Sequence, residues 1–136
     1  MVAFHFNEYA TSNFKWDELR CKGCDGTCTY SVDGKQLVNI TPSALEKLQD
    51  LRTFIQKPLI ITSATRCPTH NARVGGAPLS RHRATENRSS IAFDIALTSV
   101  PKSVLVAASR TAGFGGIGEN YKSFVHVDDR GTTARW

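Results

Sequence analysis

The sequence is poor in the residues from which membrane anchors and disulfide scaffolds are built. Its 136 residues include only four cysteines and 9% aromatic residues, and nowhere do about 20 apolar residues follow one another, as a membrane-spanning helix would need. No basic stretch followed by an apolar run stands at its start, so we expect no signal peptide. These shortages predict a chain that does not cross a membrane and needs no disulfide bridges for its core.

Length and composition predict one domain over residues 1–136, acting as a monomer. A content of 40% apolar and 21% charged residues is ordinary for a globular protein. A chain of this length buries roughly two-thirds of its unfolded surface on folding. That burial is enough for a hydrophobic core without covalent staples.

The chain carries more positive than negative charge. Lys and Arg number 17 against 12 Asp and Glu, which gives a formal net charge of +5 and a pI near 9.2. Such an excess favours polyanionic partners, of which nucleic acid and anionic cell wall are two. Because aromatic residues are few and no nucleic-acid-binding motif occurs, we favour the cell wall.

The cysteines have the spacing of a zinc knuckle. Cys21, Cys24 and Cys28 form C-x-x-C-x-x-x-C within residues 20–36, a Cys- and Gly-rich stretch that reads as an irregular loop, and Cys67 follows much later. Four such thiols are typical of a structural zinc site, which would be a second site in addition to any catalytic zinc. Two alternatives stay open: partly buried thiols, and a disulfide from Cys67 to the loop.

Periodic apolar residues predict two helices. Thr41 is placed to cap the first, Pro42 to begin it and Pro58 to end it. A second helix is expected over 101–112, with Gly113 just past its end. The stripe of the first helix, which should pack on a sheet, consists of Leu45, Leu48, Leu51, Phe54 and Ile55.

Short apolar segments predict strands around these helices. Residues 59–64 read as a buried strand, and residues 91–97 alternate so that Asp94 lies among small side chains. The alternation of 124–128 places His126 and Asp128 on one face. Residues 114–118, FGGIG, read as a turn or an edge segment. The fold predicted is α+β, with a mainly antiparallel central sheet flanked by helices.

Three scattered side chains are candidates for a metal site. A catalytic zinc takes three protein ligands and leaves one position open for water. His82, Asp94 and His126 supply suitable donors, but no H-E-x-x-H helix is present and the spacing alone is weak evidence. From residue types alone, a solvated histidine and a hydrogen-bonding aspartate remain the simpler interpretations.

Ordered motifs strengthen the metal hypothesis. The run ITSATRCPTHNARVGGAPLSRH (61–82), then IAFDI (91–95), then FVHVDDRGTTARW (124–136), resembles the zinc D-alanyl-D-alanine carboxypeptidase family. Relatives in that family include phage L-alanyl-D-glutamate endopeptidases and the hedgehog signalling domain. The resemblance runs from about residue 41 to the end of the chain. It implies the fold of the hedgehog and D,D-peptidase domains.

The resemblance also implies a function. It assigns zinc ligation to His82, Asp94 and His126, and it assigns contact with the substrate to Arg66 and Ser80. Arg66 would bind a carbonyl or carboxylate, for which an always-charged planar guanidinium is well suited; a surface ion pair is the alternative. The activity implied is metal-assisted hydrolysis of a bond in the peptide stems of bacterial peptidoglycan, by a carboxypeptidase or, as we favour, a phage-lysin type of endopeptidase.

The group that accepts the proton of the attacking water is less clearly indicated. Many relatives have an acid three residues before the last zinc histidine, where this chain has Ser123. Asp128 shares the strand face of His126 and is our choice for this role. It would alternatively hydrogen-bond to a zinc ligand, and Glu119 in the preceding turn is the rival proton acceptor.

One departure from the family pattern lies between two of the metal ligands. Asp94 follows His82 at a greater distance than is usual in that family, and Ser90 stands where a glycine is usual. Residues 83–90 therefore read as a loop insertion, which adds little closure entropy and should lie beside the site. The competing hypothesis is a non-catalytic cell-wall-binding or phage structural module with the same fold. We expect the protein to be made in the cytoplasm and to act at the wall, released during phage lysis or carried on a phage particle.

Overall fold

The computed structural model describes residues 8–23, 38–85, 87–98 and 100–136. The helices within these ranges are α1 (Trp16–Leu19), α2 (Pro42–Ile55), α3 (Pro68–Arg73) and α4 (Lys102–Ala112). The strands are β1 (Ile61–Ser63), β2 (Ala92–Ala96), β3 (Gly116–Gly118), β4 (Phe124–Asp128) and β5 (Ala134–Arg135). They form one sheet in the order β1-β2-β4-β3-β5. All strand pairs are antiparallel except β3 with β5, so the α+β prediction is confirmed.

The first long helix begins and ends as the sequence predicts. The Thr41 hydroxyl accepts the N–H of Ala44 at 3.2 Å, and Pro42 is the first helical residue. At the other end Gln56 adopts a left-handed conformation with φ 58°, and Pro58 follows two residues later, where it cannot continue a helix. None of the helices in the described ranges is long and apolar enough to cross a membrane.

The predicted apolar stripe of α2 is wrong at one position. Ala44, Leu48 and Leu51 are buried, whereas Phe54 is 51% exposed. At about 100° per residue, Phe54 lies roughly 90° away from the centre of the buried stripe. The buried face of α2 is therefore narrower than the face predicted from its apolar residues.

The central pair of strands separates the core from the polar face that carries the candidate site. In β2 and β4, Phe93 pairs with Val127 and Asp94 pairs with His126. Because side chains alternate along a strand, the apolar pairs point to one face and the polar pairs to the other. The apolar face forms one core with the two long helices, and its main members are Leu48, Leu51, Phe93, Ile95, Leu105, Ile117, Val125 and Val127.

The glycine-rich segment is neither a turn nor an edge, so that prediction is wrong. Gly116–Gly118 forms β3, which pairs with β4 on one side and with β5 on the other. A Cβ on Gly116 would lie 2.3 Å from the Asp128 carboxylate, and one on Gly118 would lie 2.6 Å from the Trp136 ring. The glycines are thus needed for close approach of side chains on neighbouring strands.

Candidate metal centre

The three predicted ligands come together on the polar face of the sheet. Asp94 lies in the middle of β2 and His126 is its cross-strand partner in β4, while His82 lies in the turn that follows residue 80. One donor atom from each lies within 4.8 Å of the other two. The separation of 12 residues between His82 and Asp94 therefore does not prevent them from meeting.

Each histidine turns one nitrogen towards the same carboxylate oxygen. His82 Nε2 and His126 Nδ1 both lie 3.0 Å from Asp94 Oδ1. The outer nitrogens have acceptors of their own, because His82 Nδ1 lies 2.7 Å from the carbonyl of Ala64 and His126 Nε2 lies 2.8 Å from Asp128 Oδ2. An acceptor at the outer nitrogen fixes which nitrogen of a neutral imidazole carries the proton.

This arrangement fits a cation. In the neutral tautomers set by Ala64 and Asp128, both inner nitrogens present lone pairs, and they face a carboxylate oxygen that also offers only lone pairs. Three such donors repel one another unless a cation lies among them. Zinc bonds of about 2.0–2.1 Å in tetrahedral geometry separate ligand atoms by roughly 3.3 Å, close to the 3.0 Å that separates each inner nitrogen from Asp94 Oδ1. Two imidazoles and one carboxylate are also a donor set that zinc commonly takes.

Electrostatics keeps the acids ionised. In the metal-free protein the inner nitrogens carry protons instead: burial disfavours the charged form of Asp94, yet the hydrogen bonds that His126 and His82 then donate hold the pKa of its carboxyl well below the usual range. For His126, burial lowers the pKa, but the hydrogen bonds to Asp128 and Asp94 outweigh it and the net shift is upward. Asp94 thus offers an ionised carboxylate to a divalent cation.

Asp128 is held in place from several directions. Its side chain is fully buried, and Arg130 binds both carboxylate oxygens, with Nε 2.8 Å from Oδ1 and Nη2 2.7 Å from Oδ2. The backbone N–H of Arg130 also donates to Oδ1 at 3.2 Å. Although burial opposes ionisation, these bonds and the one from His126 keep the pKa of Asp128 well below its ordinary value. Sequence reasoning missed Arg130, for which the only signal was its position two residues after Asp128.

Arg66 lies beside the cluster rather than within it. Its Nη2 is 3.4 Å from Asp94 Oδ2, and its Nε donates to the hydroxyl of Ser63 at 3.0 Å. Its side chain is 16% exposed. The guanidinium is therefore fixed against the carboxylate oxygen that does not face the histidines, with part of its surface open to the cleft.

A cleft of about 520 Å³ opens over the cluster, within the size range of small-molecule sites. The Ser80 hydroxyl lines it and accepts the N–H of His82 at 3.2 Å. Asp94 is the only acid among the described lining residues, since Glu119 borders a separate depression on α4 and Asp128 is buried below the cleft surface. The lining residues are Arg66, Val74, Gly75, Gly76, Ala77, Leu79, Ser80, Arg81, His82, Asp94, Tyr121, Phe124, His126, Arg130 and Trp136.

Aromatic rings form one wall of the cleft. The Trp136 ring lies 5.2 Å from the His126 ring, and the Arg130 guanidinium lies 5.0 Å from the Trp136 ring centre. The indole N–H of Trp136 donates to the Tyr121 hydroxyl at 3.0 Å. The Tyr121 ring stacks on the Phe124 ring, with 4.4 Å between the ring centres. The Trp136 ring in this wall covers one side of His126 and of Arg130, the ion-pair partner of Asp128.

Two of the four cysteines lie in the described part of the chain. Cys21 and Cys67 are both fully buried, and the N–H of Cys67 points to the Cys21 sulfur at 3.5 Å. The N–H of His70 points in turn to the Cys67 sulfur at 3.4 Å. Cys24 and Cys28 lie outside the described residues, as does most of the loop predicted over 20–36. The structural zinc at the four cysteines therefore stays a prediction.

Comparison with known proteins agrees with this geometry. A family model described as Peptidase M15 matches residues 12–128, which include all three candidate ligands, Arg66 and Asp128. A search of curated proteins found no match. The matched span covers most of the 136 residues, and the chain therefore belongs to the peptidase M15 family.

Proposed function

We propose that this protein is a zinc-dependent peptidase that hydrolyses peptide bonds in the stems of bacterial peptidoglycan. The observation that supports it most is the set of three inward-facing donors on His82, Asp94 and His126, of which both imidazoles have their outer nitrogen committed to an acceptor. Such commitment is typical of metal-ligating histidines. Membership of a peptidase family supplies the reaction class.

In this proposal His82 Nε2, Asp94 Oδ1 and His126 Nδ1 hold the zinc. A zinc ion held by three protein ligands supplies a Lewis acid that lowers the pKa of water and polarises a carbonyl. The ligands are pre-positioned, because the cross-strand pairing of Asp94 with His126 and the bond from His82 to the Ala64 carbonyl fix them before any metal arrives.

We assign to Asp128 a positioning role through His126. Its carboxylate is fully buried and already accepts hydrogen bonds from Arg130 and His126. A carboxylate in that state, with a strongly lowered pKa, is a poor direct acceptor for a proton from the cleft. It is well suited to hold the Nε2 proton of His126, which leaves Nδ1 free for the metal.

Arg66 and Ser80 are assigned to the substrate side of the site. The Arg66 guanidinium lies beside Asp94, where it places a permanent positive charge next to the region in which a peptide carbonyl would gain negative charge. Ser80 lines the same cleft, and its hydroxyl also holds the N–H of His82. A substrate group that binds Ser80 would therefore lie close to the metal ligands.

The cleft favours an anionic peptide. Arg66, Arg81 and Arg130 line it, and Asp94 is the only described lining acid. Peptidoglycan stems carry free carboxylates, and the net charge of +5 favours attachment to anionic wall. The charge of the cleft suits a carboxypeptidase and an endopeptidase equally; because the basic surface favours attachment to polymeric wall, we propose cleavage inside the stem, as in phage-lysin endopeptidases.

Mass spectrometry of digested muropeptides tests this function. Purified peptidoglycan is incubated with the zinc-loaded protein, with the His126→Ala variant, and with His70→Ala as a matched histidine control that does not line the cleft. We expect new termini within the stem from the wild type and His70→Ala but none from His126→Ala. Loss of a terminal D-alanine alone would replace the endopeptidase by a carboxypeptidase.

The competing hypothesis is a binding or structural module without turnover. It predicts unchanged muropeptides in all three samples together with sedimentation of the protein on intact cell wall. That result would refute the enzymatic proposal, whereas zinc-dependent cleavage would exclude the module.

A further inference from the structure

Residues 83–85 and 87–90 fold against the turn that carries His82. We infer that Arg88 is a positioning residue whose guanidinium braces this turn, so that the insertion strengthens metal binding without contacting metal or substrate. The inference rests on the proposed function, because it concerns how His82 is held ready for zinc. It gives a role to the segment that the sequence analysis interprets as a loop insertion.

The Arg88 guanidinium binds three main-chain carbonyls on both sides of His82. Its Nε donates to the carbonyl of Arg83 at 3.3 Å, and its Nη2 donates to those of Ser80 at 3.2 Å and Leu79 at 3.4 Å. The Ser80 carbonyl also accepts the N–H of Arg83 at 3.1 Å, which closes the turn. A guanidinium has donors spread over a rigid plane, so one side chain can span all three acceptors.

The same turn sets the position of the His82 ring. The backbone N–H of His82 donates to the Ser80 hydroxyl at 3.2 Å, and its carbonyl accepts the N–H of Arg66 at 2.8 Å. The contacts to Arg66 and to Ala64 hold His82 from the side of β1, while Arg88 holds its neighbours from the side of the insertion. Without the second support, the turn is free to shift and the Nε2 donor leaves the position facing Asp94.

Arg88 is itself anchored. Its N–H donates to the hydroxyl of Thr85 at 3.1 Å, and its carbonyl accepts the N–H of Thr85 at 2.9 Å and the amide of Asn39 at 3.3 Å. Asn39 is fully buried, and its Oδ1 accepts the hydroxyl of Ser89 at 2.8 Å. The brace is therefore tied to the protein interior and does not depend on an exposed side chain alone.

The contacts separate a positioning role from a substrate-binding role. None of the described residues of 83–90 lines the cleft, so loss of the brace should act on metal affinity and not on substrate contacts. Arg83 is a matched control in the same segment, because the described structure records no hydrogen bond from its guanidinium. Replacing either arginine by alanine changes the net charge equally.

The test compares Arg88→Ala, Arg88→Lys and Arg83→Ala with the wild type. Zinc affinity is measured by competition with a chelator, and binding that persists in His126→Ala is subtracted as lying outside the cluster. The visible spectrum of the cobalt-substituted protein reports the ligand geometry. We expect zinc affinity about 10-fold weaker and an altered cobalt spectrum in Arg88→Ala. We expect little recovery in Arg88→Lys, because a single ammonium cannot span three carbonyls, and wild-type behaviour in Arg83→Ala.

Two results would overturn the inference. In the first, Arg88→Ala unfolds at a lower temperature but binds zinc as tightly as the wild type, with the same cobalt spectrum; the segment is then only structural. In the second, Arg83→Ala weakens zinc binding as much as Arg88→Ala, and the loss of charge explains the effect. A wild type without zinc at the cluster would instead refute the proposed function, and the inference with it.

Discussion

Replacing Asp128 by asparagine tests how the second histidine is controlled. The carboxylate accepts four hydrogen bonds: one from His126, two from the Arg130 guanidinium and one from the Arg130 backbone N–H. An asparagine has the same shape, but one oxygen becomes an NH2 donor. In one orientation this donor faces the N–H groups of Arg130, and in the other it faces His126 Nε2. Neither orientation satisfies both partners.

The second orientation changes the metal site. With a donor opposite Nε2, the proton of the neutral imidazole moves to Nδ1, the nitrogen that faces Asp94. A protonated Nδ1 cannot bind a metal. Loss of such an outer hydrogen bond typically weakens metal binding 10- to 100-fold, which is about 1.4–2.7 kcal/mol. Chelator competition measures this change, and thermal unfolding of the metal-free protein measures the accompanying loss of stability.

The matched control is Asp129→Asn. Asp129 is the next residue and pairs with Lys47 of α2, with no bond to His126. We expect it to bind zinc like the wild type and to unfold at a lower temperature, because its partly buried pair with Lys47 is weakened. Equal zinc affinity in Asp128→Asn and the wild type, with only the unfolding temperature reduced, would refute the reasoning and leave Asp128 as a structural ion-pair partner.

Three further substitutions test the fold and its link to the site. Gly116→Ala should weaken zinc binding in a chelator competition, because the new Cβ would fall 2.3 Å from the Asp128 carboxylate, whereas Gly131→Ala, with open space around it, should not. Leu48→Ala should lower the free energy of unfolding in urea by about 2–5 kcal/mol, since the side chain is fully buried in the core. Thr41→Ala should cost about 0.5–2 kcal/mol in the same measurement through loss of the helix cap; values near zero for either would contradict the packing or capping described.

The elements that the sequence predicts well are those with strong local signals. The cap at Thr41, the prolines and Gly113 delimit the two long helices closely because each acts on its own backbone. The alternation in β2 and β4 predicts the two faces of the sheet because it depends only on the pleat. By contrast α1 and β5 are too short to show a period and were not predicted.

The errors share a physical cause, which is tertiary contact. The exposure of Phe54 depends on how α2 sits against its neighbours, and nothing in the helix itself reports that. The need for glycine at position 116 depends on the Asp128 carboxylate of another strand, which leaves no room for a Cβ there. A local pattern carries no information on either.

The sequence predicts the cluster of His82, Asp94 and His126, which the structure brings together, but not the residues that support it; the role of the three as metal ligands stays a prediction. Resemblance, and not spacing, indicates that His82 and His126 lie together, since their separation along the chain gives no geometric signal. Arg88 acts through main-chain carbonyls 5 to 9 residues away, and Asn39 acts through carbonyls 46 and 49 residues away. No residue pattern marks a carbonyl as an acceptor, so these supports emerge only from the fold.

Anomalous diffraction from crystals grown with zinc tests the central claim most directly. The account predicts a zinc peak bonded to His82 Nε2, Asp94 Oδ1 and His126 Nδ1, at about 2.0–2.2 Å from each. The His126→Ala crystal should lose that peak while keeping the fold. A wild-type crystal with no zinc among these three residues, although zinc is abundant in the solution, would contradict the account.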